Sequence, residues 1–129
     1  MVQMRLVKAI ALFSVTALLV GCGGGVKVPE LTPVQGRVTL KGQPVPEAVV
    51  VFEPEKGALS TGATDAEGKF ELFYSGSHKG AVPGQHKVRI SKLDGEAGSE
   101  TIPRQYNEQS QLTQLVSEPG PNDFTFDLK

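Results

Sequence analysis

Val34-Gln35-Gly36-Arg37-Val38-Thr39-Leu40 is followed, after a short break, by Ala48-Val49-Val50-Val51-Phe52. In the first run Val34, Gly36, Val38 and Leu40 alternate with Gln35, Arg37, Thr39 and Lys41. Successive side chains of an extended chain point to opposite faces, so this period of two predicts a half-buried strand. In the second run Ala48, Val50 and Phe52 alternate with Val49 and Val51, and both faces are apolar. That pattern predicts a strand that is central in its sheet or covered on its outer side. Lys41-Gly42-Gln43-Pro44 turns the chain between the two, with Gly42 free to take a positive φ. Pro54 ends the second strand because it has no amide hydrogen for a ladder.

Outward from this pair the same grammar repeats. Ser60 to Thr64 reads as a short strand, and Asp65-Ala66-Glu67-Gly68 turns it into a strand over Lys69 to Tyr74, with Phe70, Leu72 and Tyr74 on one face. Ser75 to Val82 is a polar loop, and Pro83-Gly84 is a turn dipeptide. From Gln85 to Lys92, His86, Val88 and Ile90 alternate with Lys87, Arg89 and Ser91. Leu93 to Thr101 is an acidic, glycine-rich loop, and Ile102 to Asn107 predicts one helical turn, since proline suits a first helical position. Gln111 to Ser117 and Asn122 to Leu128 are the last two strands, joined by Glu118-Pro119-Gly120-Pro121. Seven short strands with no helix of useful length predict an all-β, antiparallel sandwich.

Four of these segments together carry a family resemblance. Val34 to Val38, Gly42 to Phe52, Thr64 to Phe70 and Pro83 to Ile90 resemble, in that order, a carboxypeptidase-regulatory-like domain. The resemblance covers about Val34–Lys92 and implies a seven-stranded Greek-key sandwich of the transthyretin (prealbumin) type over residues 34–129. It also implies a non-catalytic accessory module. The tail, from Ile102-Pro103 through Tyr106-Asn107 to Phe124-Thr125-Phe126-Asp127-Leu128, is similar to that of small bacterial lipoproteins carrying one such domain.

The amino end agrees with that second likeness. Arg5 and Lys8 precede an apolar run, Ala9 to Val20, broken only by Ser14 and Thr16. A helix crossing a bilayer core needs about 20 apolar residues, so this shorter run predicts a cleaved signal peptide over residues 1–21. Leu19-Val20-Gly21-Cys22 resembles a bacterial lipobox. That likeness implies cleavage between Gly21 and Cys22, a diacylglycerol on the Cys22 sulfur and an acyl chain such as palmitate on its new amino end. One acyl chain binds a membrane marginally, whereas two or more hold firmly. Gly23 stands where an aspartate would resemble an inner-membrane retention signal, so the expected address is the cell envelope and its outer membrane. Residues 22–33, with Gly23-Gly24-Gly25 and two prolines, read as a flexible tether, reaching at most ~35–40 Å when stretched.

Composition narrows the partners. The full chain carries 13 basic and 14 acidic residues, and removing residues 1–21 takes away two basic ones, leaving a net charge of −3. Without a basic run, neither nucleic acid nor an anionic membrane surface is an expected partner. Cys22 is the only cysteine, so no intrachain disulfide supports the fold.

Catalytic constellations are equally sparse. His78, His86, Tyr74 and Tyr106 match the ligand types of iron-binding intradiol dioxygenases, a related sandwich class. Yet the histidines stand eight positions apart, and His86 is in phase with Val88 and Ile90. Zinc wants three or four clustered ligands, and Asp65 with Glu67, or Asp94 with Glu96, offers too few oxygens for a calcium loop. No nucleophile has an evident base beside it, and the Tyr-Arg-Gly-Ser ending of hydroxyisourate hydrolases is absent. The expectation is a protein without catalytic residues, metal or cofactor. Its first reading is an interaction or structural module whose contact surfaces are Ser75–Val82 and Leu93–Thr101. The partner would be an envelope protein or glycan. Its alternative is a small-ligand or carbohydrate-binding domain using Phe73, Tyr74 or Tyr106, because flat rings stack on sugars.

Overall fold

The computed structural model describes residues 28–129; the expected signal peptide, the Gly21–Cys22 cleavage and lipidation site, and the glycine-rich start of the tether lie outside the described residues. In chain order the strands are β1 (Val34–Leu40), β2 (Gln43–Pro44), β3 (Val49–Pro54), β4 (Ser60–Ala63), β5 (Lys69–Glu71), β6 (Phe73–Tyr74), β7 (His78–Lys79), β8 (Gly84–Ser91), β9 (Leu93–Asp94), β10 (Ser99–Glu100), β11 (Thr113–Val116) and β12 (Asn122–Leu128). A 3₁₀ turn spans Arg104–Tyr106 where a helical turn was expected, with Pro103 one position before it rather than at its first residue. The protein is all-β.

Two sheets share one core. The first runs β12-β1-β2, with β5 also paired to β1. The second runs β11-β8-β3-β4-β6-β7. Val34, Val38, Phe70, Phe126 and Leu128 from the first meet Val50, Phe52, Val88, Ile90 and Val116 from the second. Phe52 lies at the centre, fully buried, with its ring 6.1 Å from those of both Phe124 and Phe126 and 5.6 Å from His86. β3 is central, between β4 and β8. Its outer face is open rather than covered, since Val49 is exposed and Val51 half-buried.

Three expectations change. The pairing is not antiparallel throughout: β1 and β12 run parallel, from Val34 opposite Asn122 to Leu40 opposite Leu128. Tight turns impose antiparallel order on neighbours in sequence, but these strands are the first and last, and the chain between them is free to return with either polarity. Alternation marks a buried face in either case, so it carries no sign of direction. Thr39 Oγ1 donates to Asp127 Oδ1 at 2.6 Å across this pair.

The strand expected over Lys69–Tyr74 is divided. β5 belongs to the first sheet and β6 to the second. Leu72 is the crossing point: its N–H donates to Val34 O at 2.9 Å, its carbonyl accepts from Gly80 N–H at 2.8 Å, and its side chain is fully buried. A strand that changes sheets lets one hydrophobic run serve both layers.

The fastened chain begins at Thr32, before the expected end of the tether at Pro33. Thr32 and Ala81 exchange backbone bonds of 2.9 and 3.0 Å, and Thr32 is buried. Pro33 O accepts from Asn122 N–H at 3.0 Å. Thr32 and Pro33 therefore leave the expected tether, and its expected reach shortens by roughly 7 Å.

The turn read at Asp65–Gly68 forms as its residue types require. Asp65 Oδ1 accepts from Glu67 N–H at 2.9 Å and Lys69 N–H at 3.0 Å. The bond from Lys69 is the main reason that the Asp65 carboxyl sits below its ordinary value of 3.8. Gly68 takes φ +79°, and a Cβ there would also overlap the Val38 carbonyl.

Candidate functional site

The two expected contact surfaces lie at opposite ends of the strands. β1 starts beside the Thr32 attachment and ends at Leu40. The antiparallel register of β3 and β8 places Pro54 and Gly84 near the attachment end, and Val49 and Ser91 away from it. Ser75–Val82 therefore sits at the attachment end, and Leu93–Thr101 at the far end.

Ser75–Val82 is half structural. Ser75 and Gly76 form a left-handed turn, with φ +52° and +76°, and β7 pairs with β6. Ala81 clamps Thr32 and is fully buried, and Gly80 N–H is taken by Leu72 O. Only the tip presents free side chains, with His78 Nδ1 3.0 Å from Ser77 Oγ.

Leu93–Thr101 is an ordered hairpin. β9 and β10 pair, and Gly98 N–H closes the turn on Gly95 O at 3.1 Å. Glu100 fastens its base: Oε1 accepts from Lys92 N–H at 2.8 Å and Ile102 N–H at 3.0 Å, and Oε2 accepts from Ser91 Oγ. Partial burial pulls the Glu100 carboxyl upward, but the Ser91 hydroxyl and the backbone amides of Lys92, Ile102 and Thr101 together hold it below 4.5. At the hairpin's start Leu93 is 66% exposed.

That geometry gives a pH prediction. A carboxyl whose folded pKa is depressed contributes stability that is complete above its unfolded value and lost as pH falls through the folded one. Amide exchange at Lys92 and Ile102 is expected to accelerate below about pH 4.5 relative to strand amides such as Val50. In Glu100→Ala these two amides exchange fast at neutral pH as well, while β3 keeps its protection. Unchanged protection in Glu100→Ala, measured by NMR, would contradict the fastening role.

The groove beside the hairpin is about 850 Å³ and is lined by Val51, Arg89, Leu93, Arg104 and Glu108, among others. Its charges are paired: Arg89 with Glu53 at 3.2 Å and Arg104 with Glu108 at 3.1 Å. A second groove, about 680 Å³, lies between β4 and β5, which belong to different sheets. Val49, Thr61, Ala63, Asp65, Lys69 and Phe73 contribute to it.

The aromatic candidates separate. Phe73 is 37% exposed on the second groove. Tyr74 is buried, with its hydroxyl accepting from Ala58 N–H at 3.4 Å, and it presents no face to a ligand. Tyr106 is half-buried against the core, and its hydroxyl accepts from Lys129 N–H at 3.1 Å. His86 is 1% exposed, with Nε2 donating to Val82 O at 2.7 Å and Nδ1 buried without a partner. His78 is exposed on β7. Among the described residues no three His, Cys, Asp or Glu side chains converge as metal ligands. Sequence reasoning had no means to foresee either groove, because both arise where strands exchange sheets or a hairpin folds back.

No family model matches the chain, and no curated protein matches it. Among solved structures it is similar to a 9R-lipoxygenase from Cyanothece PCC8801, at 12% identity and a TM-score of 0.38. The likeness covers 81% of this chain and 17% of that one, so the chain spans less than a fifth of that protein. A likeness so slight carries no argument about this chain's activity.

Proposed function

We propose that the chain is a lipid-anchored protein of the bacterial cell envelope, at the outer membrane, and that its all-β domain is a non-catalytic interaction or structural module. The observation that carries this reading is Leu19-Val20-Gly21-Cys22 at the end of a short apolar run, followed by glycines. The lipid on Cys22 holds the module, and the segment ahead of Thr32 gives it reach. The finer fold belongs to the same proposal: a seven-stranded Greek-key sandwich of the prealbumin type. The order of the longer strands supports it, with β5 and β6 counted as one.

The hairpin at Leu93–Thr101 is the favoured contact surface, because it lies far from the attachment point and shows a large apolar side chain to solvent. Loops on a rigid scaffold commonly carry recognition. A photo-crosslinking residue at position 93, in intact cells, tests this. One discrete adduct that a crosslinker at exposed Lys56 fails to give supports the reading. No adduct at position 93 under any growth condition contradicts it.

The alternative, carbohydrate binding, is favoured by one observation, the exposed Phe73 ring on a groove with Asp65 and Lys69. Saturable binding on a glycan array that Phe73→Ala abolishes would establish it, and a blank array would remove it.

A further inference from the structure

The free sheet edges are unequal. β2 and β7 are two residues long, β5 carries Lys69 and Glu71, and β12 carries Asp123 and Asp127. Shortness and charge are the usual means of keeping an edge from pairing with another chain. β11 ends the six-stranded sheet, and from Gln111 to Val116 it has no charged residue. The bond from Val88 N–H to Leu112 O, 2.9 Å, sets the phase of its ladder. Leu112, Gln114 and Val116 face the backbone of β8, so the N–H and C=O groups of Thr113 and Leu115 point away from the sheet.

Side chains at this edge have a definite pattern. Thr113 and Leu115 stand on the outer face, and Leu115 is 49% exposed. Lys87 lies directly across the ladder from Thr113 and is exposed. It makes no ion pair among the described residues, and Glu53 on its other side is taken by Arg89.

We propose that β11 accepts an extended segment of a partner protein as an added strand. The segment carries an apolar residue opposite Leu115 and an acidic residue two positions away, opposite Thr113. Backbone bonds to Thr113 and Leu115 supply the affinity, and alternate side chains supply the choice of partner. The acidic residue lies two strand spacings from Lys87, about 10 Å between backbones, a gap that two long flexible side chains close above Thr113. This charge decides the occupant. A second copy paired edge to edge would bring threonine or leucine to that position and leave Lys87 without a carboxylate.

The inference rests on the interaction-module reading and adds to it a second contact surface, the β11 edge, with a partner class of its own. It is tested with the full chain in detergent and a fluorescein-labelled octapeptide, Ser-Val-Thr-Leu-Thr-Glu-Thr-Val. Saturable binding is expected by anisotropy, with slowed exchange of the Thr113 and Leu115 amides. Leu115→Lys and Lys87→Glu each weaken binding about tenfold or more, and a probe with lysine in place of glutamate regains binding to Lys87→Glu. No binding at millimolar probe, or equal binding by wild type and both variants, overturns the proposal. So does a wild-type dimer that Leu115→Lys dissociates, because the occupant is then a second copy. An envelope partner crosslinked from position 113 equally in wild type and Leu115→Lys overturns the β11 assignment while leaving the module reading intact.

Discussion

Gly36→Val is expected to prevent stable folding, and Gly36→Ala to cost on the order of 3 kcal/mol. Gly36 faces the core in the middle of β1, where Phe124 lies opposite on one side and Phe70 on the other. A Cβ at Gly36 would overlap the carbonyl oxygen of Phe124 and lie 2.6 Å from the tip of the Phe70 ring. The ring is buried and stacks on Phe126, with centroids 6.2 Å apart, so moving it breaks that packing. The carbonyl moves only if β12 moves, and β12 is registered to β1 over seven residues. Overpacking of a tight core costs about 1–3 kcal/mol, occasionally more, and backbone is the less forgiving neighbour. For a domain near 100 residues, 3 kcal/mol lowers the melting temperature by roughly 12–24 °C. Thermal unfolding of Gly36→Ala checks this, and a loss under about 3 °C would mean that the strands separate easily.

Phe52→Ala is expected to cost about 3–5 kcal/mol, the usual range for an aromatic ring deleted from a core. Phe52 is fully buried on β3 and joins the two layers, because Phe124 and Phe126 come from the opposite sheet. Natural domains hold only about 5–15 kcal/mol in total, so the variant stands near the limit of folding. Denaturant titration gives the value directly. Phe52→Leu keeps most of the volume and should recover more than half of the loss. A cost below 1 kcal/mol for the alanine variant would show that the layers do not meet at this ring.

Both effects show how unevenly the fold can be read from the chain. The period of two located β1, β3, β8 and β12 because each has one face on a shared core, and that face is written in Val34, Val50, Phe52, Val88, Ile90 and Phe126. The turn at Asp65–Gly68 was legible because its aspartate and glycine are required by local geometry. Gly36 looked like a neutral member of an apolar face; its need for closeness comes from Phe70 and Phe124, distant in sequence. Strand direction between β1 and β12, the division at Leu72 and the fastening of Thr32 are likewise long-range. Nothing within five residues of those positions encodes them.

The candidate surfaces divide in the same way. Leu93–Thr101 was visible as a glycine-rich acidic loop, but Glu100 turns it into a fastened hairpin by binding residues on both sides of it. Tyr74 and Tyr106 drew notice as aromatics, and the fold uses their hydroxyls internally. The uncharged edge of β11 had no local signature, since what matters is that among the described residues no strand lies beyond it.

The proposed lipid anchor at Cys22 has the widest consequence for function. Membrane fractionation of cells expressing wild type and Cys22→Ser, with intact-mass analysis of the mature chain, tests it most directly. Wild type should sediment with the outer membrane in high salt and carry the mass of a chain starting at Cys22 plus diacylglycerol and acyl groups. Cys22→Ser should lose that lipid mass and leave the outer-membrane fraction. A Cys22→Ser chain that still sediments there in high salt, or a wild-type mass without lipid, would contradict the account.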